Sequence, residues 1–145
     1  MRHSILLAAF GALALAGCGP QETTATATDA AVSPRAATAE ITVETPAANA
    51  RVTSPLVTSG RAPANWIFEA QFPAKLIGAD GAVIAEAPAR SQDDWTNGNP
   101  THPFRAELTF SVNADTPATL VLEQDMPQEG QTPHQVSVAV TLAPR

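Results

Sequence analysis

Hydrophobic and polar residues alternate along most of this chain after residue 40. The alternation is clearest over residues 68–76, 104–112 and 136–142, and it is also present over residues 41–43. A period of two is typical of a β-strand with one buried and one solvated face. Shorter strand candidates are Leu56–Ser59, Ala82–Ala87 and Ala118–Glu123. No long window after residue 40 has the spacing of an amphipathic helix.

These segments predict an all-β domain that spans residues 40–145. Two antiparallel sheets packed face to face, with about seven strands in total, are the simplest way to bury single apolar faces. Asp80 and Gly81 tolerate a positive φ, so they predict a tight hairpin turn between the strands that contain Phe72 and Ile84. Pro73 interrupts the clearest strand, and we assign it to an outward-facing edge or bulge position.

Several short motifs in this region are structural. They are Ser54-Pro55-Leu56, Ser59-Gly60-Arg61-Ala62 and Trp66-Ile67-Phe68-Glu69-Ala70, followed by Asp80-Gly81, Pro103-Phe104 and Val136–Val140. Together they resemble the immunoglobulin-like domain of bacterial spore-germination proteins, from about Ile41 to Leu142. The resemblance implies an immunoglobulin-like antiparallel β-sandwich and an interaction role rather than catalysis. His102 stands where that family has an aromatic residue, and a role in sporulation does not follow from the resemblance.

The first residues have a different character. Residues 1–17 contain a short basic start and an apolar run shorter than the roughly 18 residues that cross a bilayer. The run ends in Leu15-Ala16-Gly17-Cys18, which resembles the lipobox of a bacterial lipoprotein signal. We therefore predict cleavage before Cys18 and its acylation, including palmitate, which would anchor the chain in a membrane. The alternative is an ordinary secretory signal with an incidental cysteine.

Residues 18–39 predict a flexible tether, because a segment rich in Thr and Ala cannot bury enough surface to become ordered. Gly19 follows the cysteine where an inner-membrane retention signal would have Asp. We therefore expect the protein in the cell envelope, lipid-anchored to the outer membrane and facing the periplasm. The net charge of −6 argues against a nucleic-acid partner. With one cysteine, the chain has no internal disulfide and no cysteine-based metal site.

Candidate catalytic groups are few. After the predicted leader the histidines are His102, which we assign to a solvated loop, and His134, at the start of the last strand. Neither lies near a nucleophile motif, and two histidines far apart in sequence are weak evidence for zinc. We therefore predict no enzymatic activity, no cofactor and no metal site.

The segment from residue 91 to residue 103 is the longest without alternation, and long loops are often functional. Asp93 and Asp94 suggest calcium, but Trp95 occupies the position where the second ligand should be, so a solvated acidic turn fits better. Trp95 is a candidate for a recognition contact. Trp66 is either a binding residue or a lid on the core, and Glu69 is either a binding residue or a buried structural hydrogen-bond partner.

Three functions are compatible with these observations. The first is a non-enzymatic envelope lipoprotein whose domain binds another envelope protein or a cell-wall component through loops or an open sheet edge. The second is a carbohydrate- or calcium-binding module that uses the 91–103 loop. The third is an enzyme whose site the sequence does not reveal.

Overall fold

The structure is a computed structural model that describes residues 40–145. The predicted leader, Cys18 and the tether lie outside the described residues. Within residues 40–145, eight strands and one turn of 3-10 helix, η1 (Ala64–Trp66), account for the regular structure. The strands are β1 (Thr42–Thr45), β2 (Ala50–Val52), β3 (Leu56–Pro63), β4 (Gln71–Gly78), β5 (Val83–Ser91), β6 (Thr101–Leu108), β7 (Thr116–Glu123) and β8 (Gln135–Leu142).

The strands form one curled sheet in the order β1-β3-β6-β5-β4-β7-β8-β2. All neighbours are antiparallel except β2 and β8, which are parallel. The contact between β5 and β6 is short, since only Arg90 with Arg105 and Ser91 with Phe104 are paired. The sheet therefore curls into two layers that meet at this seam. This arrangement confirms the predicted all-β, immunoglobulin-like sandwich.

The core lies between the two layers and follows the predicted alternation. Phe72 packs edge-on against Trp66, with ring centroids 6.2 Å apart, and against Phe104, with centroids 5.1 Å apart. Edge-to-face pairs of this kind add about 0.5–1.5 kcal/mol beyond the burial of apolar area. The large apolar side chains that are almost fully buried are Phe72, Phe104, Leu76, Leu108, Leu120, Leu122 and Leu142.

The structure has one strand more than the sequence predicts. The additional strand is β2, which has three residues and pairs in parallel with Val140–Leu142 of β8. Because β1 pairs with β3 and β2 pairs with β8, the chain passes from one layer to the other between Thr45 and Ala50. A strand this short has no measurable alternation, so the pattern of residues does not predict it.

The predicted strand over residues 68–76 begins later than expected. Phe68 and Gln71 exchange two backbone hydrogen bonds of 3.0 Å around a two-residue turn. Glu69 and Ala70 in that turn have φ values of 48° and 64°. The turn breaks the alternation, so Phe68 is 42% exposed whereas Phe72 is 1% exposed.

Two other local predictions agree with the structure. The Asp80-Gly81 turn links β4 to β5, with φ of 81° at Gly81 and a hydrogen bond from the Ala82 N–H to the Asp80 carboxylate. Pro73 faces outward and lies opposite Pro88 of β5. Two opposed prolines fit an antiparallel pair only where neither N–H is needed between the strands. Pairing of β4 with β7 begins one residue later, at Ala74, so Pro73 is locally at an edge.

Candidate functional site

Three connections meet at one end of the sandwich: β3 to β4, which contains η1 and the turn at residues 68–71, β5 to β6, and β7 to β8. The connection from Ser91, the last residue of β5, to Pro100 is called the 91–100 loop; it is shorter than the predicted 91–103 segment because β6 begins at Thr101. The Ala64 N–H donates to the Pro100 carbonyl at 3.0 Å, which joins η1 to the end of this loop. The Ser91 N–H donates to the Ala70 carbonyl at 2.8 Å, which joins the start of that loop to the turn at residues 68–71. The segment between β7 and β8 joins through the Asp125 N–H, which donates to the carbonyl of Trp66 at 3.1 Å. All five predicted binding residues therefore lie at this end.

Trp66 ends η1 and is 6% exposed. Its indole packs against Phe72, so most of its surface belongs to the core. Only a small part of the side chain reaches the surface, where it lines a cleft together with Ile41 and Val136. The position is that of a lid on the core.

Glu69 does not have the buried hydrogen bond that the sequence analysis expects of it. It occupies the turn at residues 68–71 and is exposed. The expectation comes from the family-like motif around Trp66, and it fails because the chain reverses at Glu69 and the turn leaves the side chain exposed. Its carboxylate faces solvent next to the start of the 91–100 loop.

His102 also differs from its predicted place in a solvated loop. It lies in β6 with its side chain 0% exposed, on the same inward side as Phe104. Its Nδ1 lies 2.9 Å from Oδ1 of Asp93, and because an ionised carboxylate only accepts, Nδ1 carries the proton. Its Nε2 is buried and has no hydrogen-bond partner among the described residues. The imidazole thus connects the acidic loop to the core.

The two adjacent carboxylates of the loop have different partners. Asp93 also accepts a hydrogen bond from the Ser91 hydroxyl at 2.9 Å. Desolvation raises the pKa of Asp93, but the hydrogen bonds from His102 and Ser91 outweigh it and hold the pKa below its ordinary value. Hydrogen bonds from the side chain and backbone of Thr96 lower the pKa of Asp94. The two carboxylates therefore stabilise the loop from within, which favours a structural role over calcium binding.

Trp95 is partly buried rather than fully exposed, and it packs against the core. Together with the contact between Asp93 and His102, this packing holds the loop onto the sandwich. The loop ends where β6 begins, at Thr101. Its polar tip at Asn97–Asn99 is exposed.

A cleft of about 500 Å³ opens at the same end. It lies between the beginning of β1, η1 and the beginning of β8. Apolar side chains and hydrogen-bonding groups share its lining, a combination that is common in binding sites of this size. The lining residues are Glu40, Ile41, Asn65, Trp66, His134, Gln135 and Val136.

The cleft adjoins an open sheet edge. On its β2 side, β8 is paired only over Val140–Leu142, so within residues 40–145 no strand neighbours Gln135–Val138 on that side. The Ala139 carbonyl accepts the N–H of Asn49 at 2.7 Å on that side. Since alternate residues of a strand direct their backbone groups the same way, Gln135 and Ser137 direct theirs towards the open side. His134, predicted at the start of the last strand, immediately precedes this edge and is exposed.

Neither the edge nor the cleft is recognisable from the sequence. Ile41 and Val136 are recognisable from sequence only as apolar strand residues, and His134 only as a possible base. Which part of β8 lacks a neighbour depends on where β1 and β2 pair, and no local signal in the sequence reports that pairing.

Within residues 40–145, no three His, Cys, Asp or Glu side chains are grouped so that they could hold a metal ion. No helix in this range is long and apolar enough to cross a membrane.

Comparison with known proteins identifies the domain. A family model described as the immunoglobulin-like domain of bacterial spore germination matches residues 40–131, which confirms the resemblance seen in the sequence. No curated protein matches the chain. Among solved structures, the crystal structure of CopC from Methylosinus trichosporium OB3b is similar, with 11% identity and a TM-score of 0.45. The similarity covers 73% of this chain and 94% of that chain.

Proposed function

The chain belongs to the family of immunoglobulin-like domains of bacterial spore germination, and from that premise we propose that it is a non-enzymatic binding protein of the cell envelope. Its partner is another envelope protein, which adds an extended segment to the open edge of β8. The lipobox at Cys18 supports a lipid anchor, and Gly19 supports an outer-membrane location facing the periplasm. These features would keep the domain near other envelope proteins.

The unpaired edge of β8 beside the cleft is the observation that carries this proposal. Gln135 and Ser137 offer backbone N–H and C=O groups on the open side, and an added strand would pair with them. Main-chain hydrogen bonds of this kind provide affinity, and pockets for alternate side chains provide specificity. The cleft formed by Ile41, Trp66 and Val136 could take such a side chain.

Polar groups around the cleft would add selectivity. His134, Gln135 and Glu40 surround the apolar lining and can donate or accept hydrogen bonds. A partner segment with an apolar side chain, flanked by polar residues, matches this lining. A sugar polymer lacks the alternating amide groups that strand addition needs, so the open edge favours a polypeptide over the cell-wall component.

The test uses the full-length chain in the cells that produce it. A photo-crosslinking amino acid at Gln135 should form an adduct with one envelope protein, and mass spectrometry should locate the link in an extended segment of that protein. Ser137→Pro removes an N–H from the open edge without removing a hydrogen bond to β7, so it should abolish the adduct. The matched control is Glu86→Pro in β5. Glu86 lies two residues before Pro88, so its N–H points to the same side of β5 as the nitrogen of Pro88, which already lacks a hydrogen.

Three results would contradict the proposal. The first is an equal yield of adducts from a crosslinker placed at Glu86. The second is an adduct that persists in Ser137→Pro. The third is an adduct with a glycan, which would identify a cell-wall component as the partner instead.

A further inference from the structure

Three arginines share the outward face of neighbouring strands. Arg105 of β6 lies directly opposite Arg90 of β5 and, on its other side, opposite Ser59 of β3. Arg61 of β3 lies opposite Pro103 and is therefore a diagonal neighbour of Arg105. All three side chains are exposed. Directly opposed residues in a sheet have Cβ atoms about 5 Å apart, and diagonal neighbours are about 7–8 Å apart.

This clustering is unexpected in an acidic domain. Residues 40–145 contain 12 acidic and 6 basic side chains, and half of the basic ones are these arginines. The other bases are engaged elsewhere: Arg51 pairs with Asp115, Lys75 pairs with Glu123, and Arg145 donates to the Ser54 carbonyl.

No carboxylate of residues 40–145 forms an ion pair with the three arginines. Arg61 donates only to the hydroxyl and the carbonyl of Thr101, which are neutral and hold its guanidinium in place. Glu107 lies two residues beyond Arg105 on the same face without pairing with it. Like charges placed directly opposite each other destabilise a sheet, so the Arg90–Arg105 pair lowers stability in the absence of an anion.

The seam between β5 and β6 gives these two arginines a common site. The strands separate beyond Arg90 and Arg105 and leave a shallow cleft of about 300 Å³. Both arginines line this cleft, and the lining also includes Pro88, Gln92 and Glu107. It lies on strands other than those that form the cleft beside β8.

We propose that Arg90 and Arg105, flanked by Arg61, form a binding site for a phosphate group. Each guanidinium can donate two parallel hydrogen bonds to phosphate oxygens. The three arginines and Glu107 of the lining carry a net charge of +2. A phosphomonoester with a charge of about −1.5 to −2 balances this charge, whereas one carboxylate balances only half of it. Pro88 removes an N–H from the adjacent edge of β5, which disfavours an acidic peptide bound there as an added strand.

Titration of the full chain with inorganic phosphate tests the site. Wild type should bind phosphate saturably and gain thermal stability as phosphate is added. Arg90→Gln and Arg105→Gln should each weaken binding about tenfold or more. The matched control, Arg51→Gln, removes another exposed arginine, one that is already paired with Asp115, and it should bind phosphate within about twofold of wild type.

Further binding experiments identify the source of the phosphate and the class of ligand. Vesicles that contain phosphatidic acid, compared with vesicles of phosphatidylcholine alone, test a phosphate on a lipid headgroup. Selective binding to the vesicles with phosphatidic acid would assign the site to lipid phosphate. Binding to free phosphate but to neither kind of vesicle would assign it to a soluble phosphate. Polyglutamate should not compete, and competition at equal charge concentration would overturn the proposal in favour of an acidic polypeptide.

Stability provides a separate criterion. Without phosphate, Arg90→Gln should leave the unfolding temperature unchanged or raise it, because it removes repulsion from Arg105. A lower unfolding temperature would indicate a structural role and would overturn the proposal, as would an equal loss of binding in Arg51→Gln. None of these measurements involves the open edge of β8, so failure here leaves the proposed protein partner untouched.

Discussion

Phe72 and Phe68 provide a direct test of the turn at residues 68–71. A strand that continued through residue 68 would place both rings in the core, four residues apart on the same side. In the structure Phe72 is 1% exposed, between Trp66 and Phe104, whereas Phe68 is 42% exposed beside the turn. We expect Phe72→Ala to lower the free energy of unfolding by about 3–5 kcal/mol, because it loses buried area and leaves a cavity.

The matched substitution is Phe68→Ala. It loses about half of the transfer energy of a buried phenylalanine and leaves no cavity, so its cost should be about 1 kcal/mol or less. Urea unfolding, followed by circular dichroism, measures both variants. Tryptophan fluorescence is the second probe, with a separate folded baseline for each variant because Phe72 contacts Trp66. Equal losses of stability in the two variants would refute the turn and restore the continuous strand.

Two further predictions concern β1 and the 91–100 loop. A methyl group at Gly60 would overlap the backbone carbonyl of Thr42 in β1 and press on the ring of Phe104. Gly60→Ala should therefore cost about 1–3 kcal/mol in urea unfolding, and wild-type stability would contradict the close approach of β1 and β3. The pKa of Asp93 is lowered in the folded state, so the unfolded chain takes up this proton at a higher pH than the folded chain. The stability that the carboxylate contributes is therefore present above about pH 4 and is lost as the pH falls through the folded pKa. In Asp93→Asn, the free energy of unfolding should change less than in wild type between about pH 5 and pH 2.

The alternation of apolar and polar residues predicts which side of each long strand is buried, because the pattern lies entirely within the residues of that strand. Phe104, Leu108 and Val140 all point inward as predicted. Turns that depend on an intrinsic backbone preference are predictable for the same reason, as at Asp80-Gly81. The turn at Glu69-Ala70 has no such signature, since neither residue favours positive φ, and tertiary contacts such as the Ser91 N–H with the Ala70 carbonyl help to hold it.

His102 lies on the buried side of β6, although its sequence context predicts a solvated loop. The alternation of β6 extends back from Phe104 to residue 102, which places the imidazole on the inward side. The pattern is hidden because histidine counts as polar and because Pro100 and Pro103 suggest a loop. An inward histidine needs a partner for a buried nitrogen, and Asp93 on the preceding loop provides it.

The candidate binding surfaces depend on how strands that are distant in sequence pair with one another. The open edge of β8 exists because β2 covers only Val140–Leu142, and the opposed arginines exist because β5 and β6 pair over two positions. Both features are relations between strands that are distant in sequence. Residue types alone show that Arg90 and Arg105 are charged, but only the register places them opposite each other. Partner-binding surfaces of a sandwich therefore follow from its strand order, whereas its core follows from the alternation of residues.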